Sequence, residues 1–406
     1  MTGLTVADLV RRAHARYGGH PAIRTEDGPL SFAELGALVD RLAAGLAALG
    51  CRPGDRVVLA LENRPELLAL EQAVWVSGLV RVALSSRSHP QEIAHVARDC
   101  EAAVVVCEDA HAAALDGLPG LVPLAGYPRL LKYGEPAVRH APQPDDVAAL
   151  LYTSGTTGRP KGAVVTHRSW VAMVEEFAAQ LPPMGPGDLV LHTAPISHFG
   201  GSVGSACLLR GAAAMPVRRF DPRATLDLVQ RHGVTVLPLV PTMLKELTAV
   251  AAGYDLSSLR AIPYGGSAIG AVAAGKAHAA FGEILYQFYG LSEALAPVAV
   301  LSARDHLVRP ESAGRFCPGV AYRVVVGVLQ LSGDCVMRGY WNDPEQTAEV
   351  LRDGWFSTGD LGFVDDQGFL HLVDRSKEVI ISGGFNVYPA EVERVIETLD
   401  GVREVA

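Results

Sequence analysis

Cysteine is scarce in this chain: six in 406 residues, at positions 51, 100, 107, 207, 317 and 335. None stands in a CxxC pair and no histidines follow at zinc-finger spacing, which excludes a disulfide scaffold and gives no sign of a small zinc module. Reduced core thiols of a cytoplasmic protein are the expectation. Long uninterrupted apolar runs are also lacking. The two most apolar stretches, 67–84 and 199–217, are broken by Glu71, Arg81 and Arg210, and a membrane span needs about 20 mostly apolar residues. The first residues, Met1 to Val6, carry no basic segment ahead of an apolar run, so they do not look like a secretory signal. Positive charge is in deficit. Thirty-five Lys+Arg against 44 Asp+Glu leave a formal charge of −9, which supplies no global attraction for nucleic acid or anionic lipid. Internal repeats and low-complexity tracts are absent.

What is present is apolar bulk. Hydrophobic residues make up 49% and charged residues 19%, enough to bury a large core and to exclude a mostly disordered chain. The length predicts two or more domains. Ser31 and Glu34 have capping-box spacing ahead of leucines 35, 38, 42, 46 and 49, and Gly50 closes that helical run. Short apolar strands at 57–61, 79–84 and 102–106 alternate with helical patterns at 65–77 and 90–99, the signature of a parallel sheet covered on both faces. The stretch 119–144 holds six prolines and reads as an irregular connection. Further on, Asp221-Pro222 caps a helix that Gly233 closes, and 234–240 reads as a strand. Residues 363–374 read as a hairpin turning at Gly368, and Val392, Val395, Ile396 and Leu399 make one helical stripe after Pro389.

The clearest chemical feature is Tyr152-Thr153-Ser154-Gly155-Thr156-Thr157-Gly158-Arg159-Pro160-Lys161-Gly162, between an apolar strand at 147–151 and a helix expected to begin near Ser169. Glycines bring backbone N–H groups close to an anion, the hydroxyls of Thr153, Ser154, Thr156 and Thr157 can donate to phosphate oxygens, and Lys161 adds positive charge. An ordinary Gly/Ser/Thr surface loop is the alternative on composition alone. A Walker loop is excluded, because it needs Ser or Thr after the lysine and Gly162 stands there.

This segment, extended through Thr166-His167, resembles the AMP-binding signature of the adenylate-forming enzymes. That superfamily includes acyl-CoA synthetases, carrier-protein-loading adenylation domains and luciferases. Four further segments resemble the family's motifs in order: Tyr264-Gly265-Gly266-Ser267-Ala268, Tyr289-Gly290-Leu291-Ser292-Glu293, Gly354 to Asp360, and Asp374-Arg375-Ser376-Lys377 followed by Ser382 to Pro389.

The resemblance implies residue roles. Thr153, Ser154, Gly155, Thr156, Thr157, Gly158 and Lys161 would grip the phosphates. Gly265, Gly266, Ser267, Tyr289 and Gly290 would meet the adenine, Ser292 the α-phosphate, Asp360 the ribose, and Arg375 the ribose or the phosphates. Glu293 would hold Mg²⁺. Lys161, Ser292 and Glu293 would carry the catalytic load, with Lys377 as the hinge of a rotating lid. His198, Phe199, Gly200, Tyr264, Gly265 and Leu291 would line the acyl pocket, His198 as a wall or gate.

The implied fold is α/β: a large N-terminal domain of mixed sheets flanked by helices, about 1–374, and a small α+β lid beginning at 375–406. The implied activity is ATP- and Mg²⁺-dependent ligation of a small carboxylic acid, an aryl or short acyl group from the pocket side chains. It proceeds through an acyl-adenylate to a thiol, either CoA or the phosphopantetheine arm of an acyl carrier protein. Adenylation of a non-carboxylate oxyanion and a nucleotide-binding pseudoenzyme stay as alternatives. The family's C-terminal catalytic lysine, in a Pro-x-x-x-x-Gly-Lys setting, is not found before Ala406, so the full gene product is expected to run longer. A flexible loop is likewise expected to be missing between Val326 and Gly327. Intact mass is the check on both.

Overall fold

The computed structural model of the protein describes residues 3–134, 140–153, 160–267, 269–375, 380–382, 385–387, 389–396 and 402. The capping box forms as the spacing predicts. The Ser31 amide donates to Glu34 Oε2 at 2.8 Å and the Glu34 amide donates to Ser31 Oγ at 3.2 Å. These bonds start the helix Phe32–Ala48, whose leucines 35, 42 and 46 are buried.

Six strands form the first sheet, in the order Leu121–Pro123, Val104–Cys107, Arg56–Ala60, Val80–Ala83, Val147–Thr153 and Lys161–Thr166. All neighbours pair in parallel except the last two. Side chains alternate along each strand, so one run serves two cores. Val57 and Leu59 enter the central core while Val58 and Ala60 face an outer core with the helix Pro90–Asp99. That is why these strands read as continuous apolar runs.

A second layer joins two four-stranded sheets. Gly28–Ser31, Pro21–Thr25, Ala213–Pro216 and Leu189–His192 make one; Ile262–Gly265, Leu285–Tyr289, Ala299–Leu301 and Arg315–Phe316 make the other. The stretch expected to be a strand at 234–240 makes only isolated bridges, Val236 to Val190 and Ala261, and Leu239 to Tyr264. It is the seam between the two sheets, too irregular for a full ladder. Here too alternation divides the residues: Val190, Ala214 and Phe288 join the central core, and Leu189, Leu191, Ile262 and Leu285 an outer one with helices Pro222–His232, Pro241–Val250 and Ala271–Phe281. The central core, with helices Val6–Arg16, Pro65–Val76, His167–Gln180 and Phe199–Leu208, thus lies between two sheets, and each sheet has outer helices beyond it.

Other expectations shift. A strand, Lys161–Thr166, stands where the sequence suggested loop running into helix, and the helix begins at His167 rather than near Ser169. The 119–144 connection holds a short strand and a 3₁₀ stretch, Leu124–Lys132, that buries Tyr127 and Leu130. Val326 and Gly327 form a two-residue turn between paired Val325 and Val328, with φ of +50° and +79°.

Strands Ala321–Val325, Val328–Ser332, Leu351–Arg352, Trp355–Val364 and Leu370–Arg375 build a final antiparallel sheet. Gly368 turns the predicted hairpin at φ +81°. The expected domain boundary at 374/375 falls within its last strand. The helix after Pro389 covers Pro389–Ile396, with Val392 and Val395 exposed; Leu399 lies outside the described residues. Among the described residues no helix is long and apolar enough to cross a membrane.

Candidate active site

Two parallel strands end together at Gly265 and Tyr289, with Gly265 paired to Phe288. In open α/β sheets the carboxyl ends of strands are where ligands bind. The chain turns sharply after Tyr289. A Cβ at Gly290 would lie 2.5 Å from the Ala296 backbone, so only glycine fits. The Leu291 amide donates to the Ala294 carbonyl at 2.8 Å, which turns Glu293 back toward the first sheet.

A stretch of extended chain, 335–341, then stitches the two sheets. The Leu295 amide donates to Cys335 O at 2.9 Å and the Met337 amide to Glu293 O at 2.8 Å. On its other side the Arg338 amide donates to Val164 O at 2.9 Å and the Trp341 amide to Gly162 O at 2.8 Å. This seam brings Tyr340 between two predicted site residues. Its hydroxyl donates to Glu293 Oε1 at 2.9 Å, and Lys161 Nζ lies 5.4 Å from its ring centroid. Burial, with Glu293 beside it, pushes the Tyr340 hydroxyl above the usual phenol range, so it stays a donor. Lys161 opens its strand directly opposite Thr153. Ser154, Gly155, Thr156, Thr157 and Gly158, between them, lie outside the described residues, as does Lys377.

A second group forms around Asp360, which is 6% exposed. The Tyr289 hydroxyl donates to its Oδ2 at 2.5 Å, and Arg375 Nε lies 3.4 Å from its Oδ1. Asp360 and Arg375 are cross-strand partners. The Asp360 amide donates to Thr358 Oγ1 at 3.0 Å, and Thr358 in turn donates to Leu329 O at 2.9 Å, fixing the irregular stretch of strand that presents the carboxylate.

The third group is apolar. Phe199 opens the helix Phe199–Leu208, and its ring lies 6.1 Å from both Phe288 and Phe177. Gly265 adjoins this group: a Cβ there would meet Phe288 O at 2.6 Å and the Phe199 ring at 3.2 Å. Gly200 and Gly201 let the helix sit on the preceding loop, where a Cβ at Gly201 would collide with Ile196 O. His198 precedes the helix, with Nδ1 2.7 Å from Ser197 Oγ.

Tyr264 requires correction. It was expected in the acyl pocket, yet its side chain is wholly buried in the outer core, its hydroxyl 3.0 Å from both Gln287 Oε1 and His306 Nε2. Strand alternation explains this: Gly265 faces Phe199, so its neighbour Tyr264 must face the other way. Gly266, at φ +95°, and Ser267 are exposed, and Leu291 and Ser292 are half-buried.

The structure also shows residues that motif reading passed over. Tyr340 is one. Asn63, Glu71 and Arg81 are others: they hold the loop before Phe199. Asn63 donates to His192 O at 3.1 Å and to Ala194 O at 2.9 Å, and accepts from the Ile196 amide at 2.9 Å. Arg81 Nε donates to Glu71 Oε1 at 2.6 Å and Arg81 Nη2 reaches Ile196 O at 3.4 Å. Glu71 and Arg81 registered in the sequence only as interruptions of an apolar run. Their signal was a charge pair that an otherwise buried segment must satisfy internally. Burial pushes the Cys51 thiol up to about 11 and the Cys207 thiol up to about 12, which disfavours the thiolate form.

The Glu293 carboxylate suits magnesium. Tyr340 engages only one of its oxygens, and the described residues contain no cluster of three or more His, Cys, Asp or Glu. Mg²⁺ takes one or two carboxylates plus water and phosphate oxygens rather than an all-protein cage.

The family model described as AMP-binding enzyme matches residues 10–341. The chain is 38% identical to a feruloyl-CoA synthase of an Amycolatopsis species, over 98% of this chain and 84% of that protein. It superposes on the amide bond synthetase McbA of Marinactinospora thermotolerans with a TM-score of 0.90 and 30% identity, covering 99% of this chain and 85% of the other. The o-succinylbenzoate-CoA synthetase of Bacillus subtilis, in complex with its acyl-adenylate intermediate, gives a TM-score of 0.91 at 27% identity, covering 100% and 85%. With a family model spanning most of its length and a relative 38% identical over 98% of the chain, the chain belongs to the AMP-binding enzyme family.

Proposed function

We propose that the protein is an ATP-dependent acid–thiol ligase that activates a small, largely planar carboxylic acid as its acyl-adenylate and passes the acyl group to CoA. The observation that carries this reading is the pairing of opposite charges, Lys161 and Glu293, around Tyr340, with Glu293 in the turn that directly follows Tyr289, the partner of Asp360. One pair suits a polyphosphate with its cation, the other a ribose.

In the first half-reaction a carboxylate oxygen of the acid attacks the α-phosphorus of ATP. The bond to the bridging oxygen breaks and pyrophosphate leaves with its electron pair. In the second, a thiolate attacks the acyl carbon and AMP leaves. Side chains do little covalent work; positioning and charge neutralisation dominate. Asp360, held by Tyr289 and Arg375, accepts the ribose hydroxyls. Lys161 draws the β- and γ-phosphates, and Ser292 donates toward the α-phosphate. Glu293 would hold Mg²⁺, which supplies neutralising charge to the phosphate oxygens. Phe199 and Gly265 offer an apolar wall backed by the buried Phe288, with His198 at its edge. An aryl acid fits that wall, and the likeness to a feruloyl-CoA synthase supports it.

The test is acid-dependent exchange of labelled pyrophosphate into ATP across a panel of aryl, short-chain and long-chain acids, followed by thioester analysis with CoA and with a phosphopantetheinylated carrier protein. Aryl acids and CoA are the expected partners. ATP binding without exchange on any acid would overturn the reading in favour of a nucleotide-binding regulator. Lys161→Ala and Glu293→Ala should each slow exchange; wild-type rates would refute their roles.

A further inference from the structure

We infer that Tyr340 is a positioning residue of the nucleotide site, setting the Glu293 carboxylate for its cation and keeping the Lys161 ammonium apart from it. The inference rests on the roles given above to Glu293 and Lys161. Its ground is geometry from three directions. The Tyr340 hydroxyl donates to Glu293 Oε1 at 2.9 Å, which leaves Oε2 for a cation. Lys161 Nζ stands 5.4 Å from the Tyr340 ring centroid, within the range where an ammonium is attracted to an aromatic face. The Tyr340 backbone is itself pinned. It bridges Ala163 on the strand that carries Lys161, and its amide donates to Thr347 Oγ1 at 2.8 Å. Gly339 before it allows the close approach, since a Cβ there would lie 2.7 Å from Thr347 Cγ2.

Lys161 and Glu293 carry opposite charge and flank one side chain, yet they form no ion pair with each other. A direct pair would cancel the two charges needed separately, one for phosphate and one for the metal. The phenol ring stands between them and gives each a weaker partner that ligand can outbid. A hydroxyl holding one carboxylate oxygen also removes the rotation of the carboxyl group, whose loss a bound cation would otherwise have to bear.

The test compares wild type with Tyr340→Phe, Tyr340→Leu and Glu293→Gln. ATP affinity is measured by titration calorimetry at increasing MgCl₂, with folding followed by circular dichroism. Tyr340→Phe keeps the ring and loses only the hydroxyl. It should raise the MgCl₂ concentration for half-maximal tightening about tenfold, the scale of one hydrogen bond to a charged group, with magnesium-free ATP affinity unchanged. Tyr340→Leu should show the same shift and weaker magnesium-free affinity, because Lys161 is then free to pair with Glu293. A wild-type magnesium curve for Tyr340→Phe overturns the orienting role. Unchanged magnesium-free affinity in folded Tyr340→Leu overturns the separating role. Glu293→Gln tells the two levels apart. If it shifts the curve while Tyr340→Phe does not, this inference alone fails; if it too leaves the curve unmoved, the assignment of Glu293 fails and the inference with it.

Discussion

The Tyr289 hydroxyl donates to Asp360 Oδ2 across 71 positions of sequence, joining the end of a parallel strand to a strand of the antiparallel sheet. The bond holds a nearly buried carboxylate in one orientation, and Arg375 approaches the other oxygen. Burial beside Asp360 raises the Tyr289 hydroxyl above the phenol range, so it remains a donor at working pH. Tyr289→Phe should therefore weaken ATP binding about tenfold, one charge-assisted hydrogen bond, while Asp360→Ala should weaken it further. Calorimetry with ATP and with adenine checks this; equal losses for both ligands would place the effect at the base rather than the ribose.

The Glu71–Arg81 pair is almost wholly buried, and Arg81 also reaches the Ile196 carbonyl. Burial pushes the Glu71 carboxyl up, against the pull of Arg81. Glu71→Ala leaves a buried guanidinium unpaired and should cost roughly 3–5 kcal/mol in urea unfolding. The double replacement Glu71→Leu with Arg81→Met should cost less than the sum of the two single changes. Additive losses would mean that the pair is not coupled.

Two buried histidines make stability fall in acid. Burial lowers His192 to about 4 and His167 to about 4. Between about pH 6.5 and 4 the unfolded chain binds protons that the folded chain refuses, so stability rises with pH across that window and is lost as pH falls through it. Each contributes at most roughly 3 kcal/mol. His192→Leu should flatten the melting temperature against pH; an unchanged slope would assign the acid sensitivity elsewhere.

Phe177 separates the Phe199–Phe288 wall from a cavity of about 150 Å³ lined also by Leu181, Met184 and Arg210. Phe177→Ala should join the two spaces. The variant should lose roughly 3–5 kcal/mol of stability and shift kcat/KM toward bulkier acids. An unaltered acid preference would place the back wall of the pocket somewhere else.

Val326 sits at φ +50° in a two-residue hairpin turn and is 95% exposed. A β-branched residue is strained there, and turns of this kind favour Asn-Gly. Val326→Asn should raise stability by about 1 kcal/mol, read as a higher denaturation midpoint. No gain would mean that the turn relaxes at no cost.

Much of this protein is determined locally. The Ser31–Glu34 cap, the Asp221 cap with Gly233 in the left-handed region, and the helix Pro65–Val76 follow from side chains acting on backbone within a few residues. The order of the nucleotide motifs is legible for the same reason, since each is a short run whose residue types suit one piece of chemistry. Other features depend on which distant segments meet. Tyr264 and Gly265 are neighbours in sequence, and only the packing of their strand between two cores sends one into the interior and leaves the other beside Phe199. Tyr340 looks like one more aromatic until the 335–341 segment is laid between Glu293 and Val164, and Glu71 with Arg81 look like interruptions until Ile196 arrives above them. Local hydrogen bonds and periodicity act over one or two turns of chain and can be read from it; the partner of a buried charge or hydroxyl is chosen by the fold, because burial forbids water and leaves only whatever the tertiary structure brings within reach.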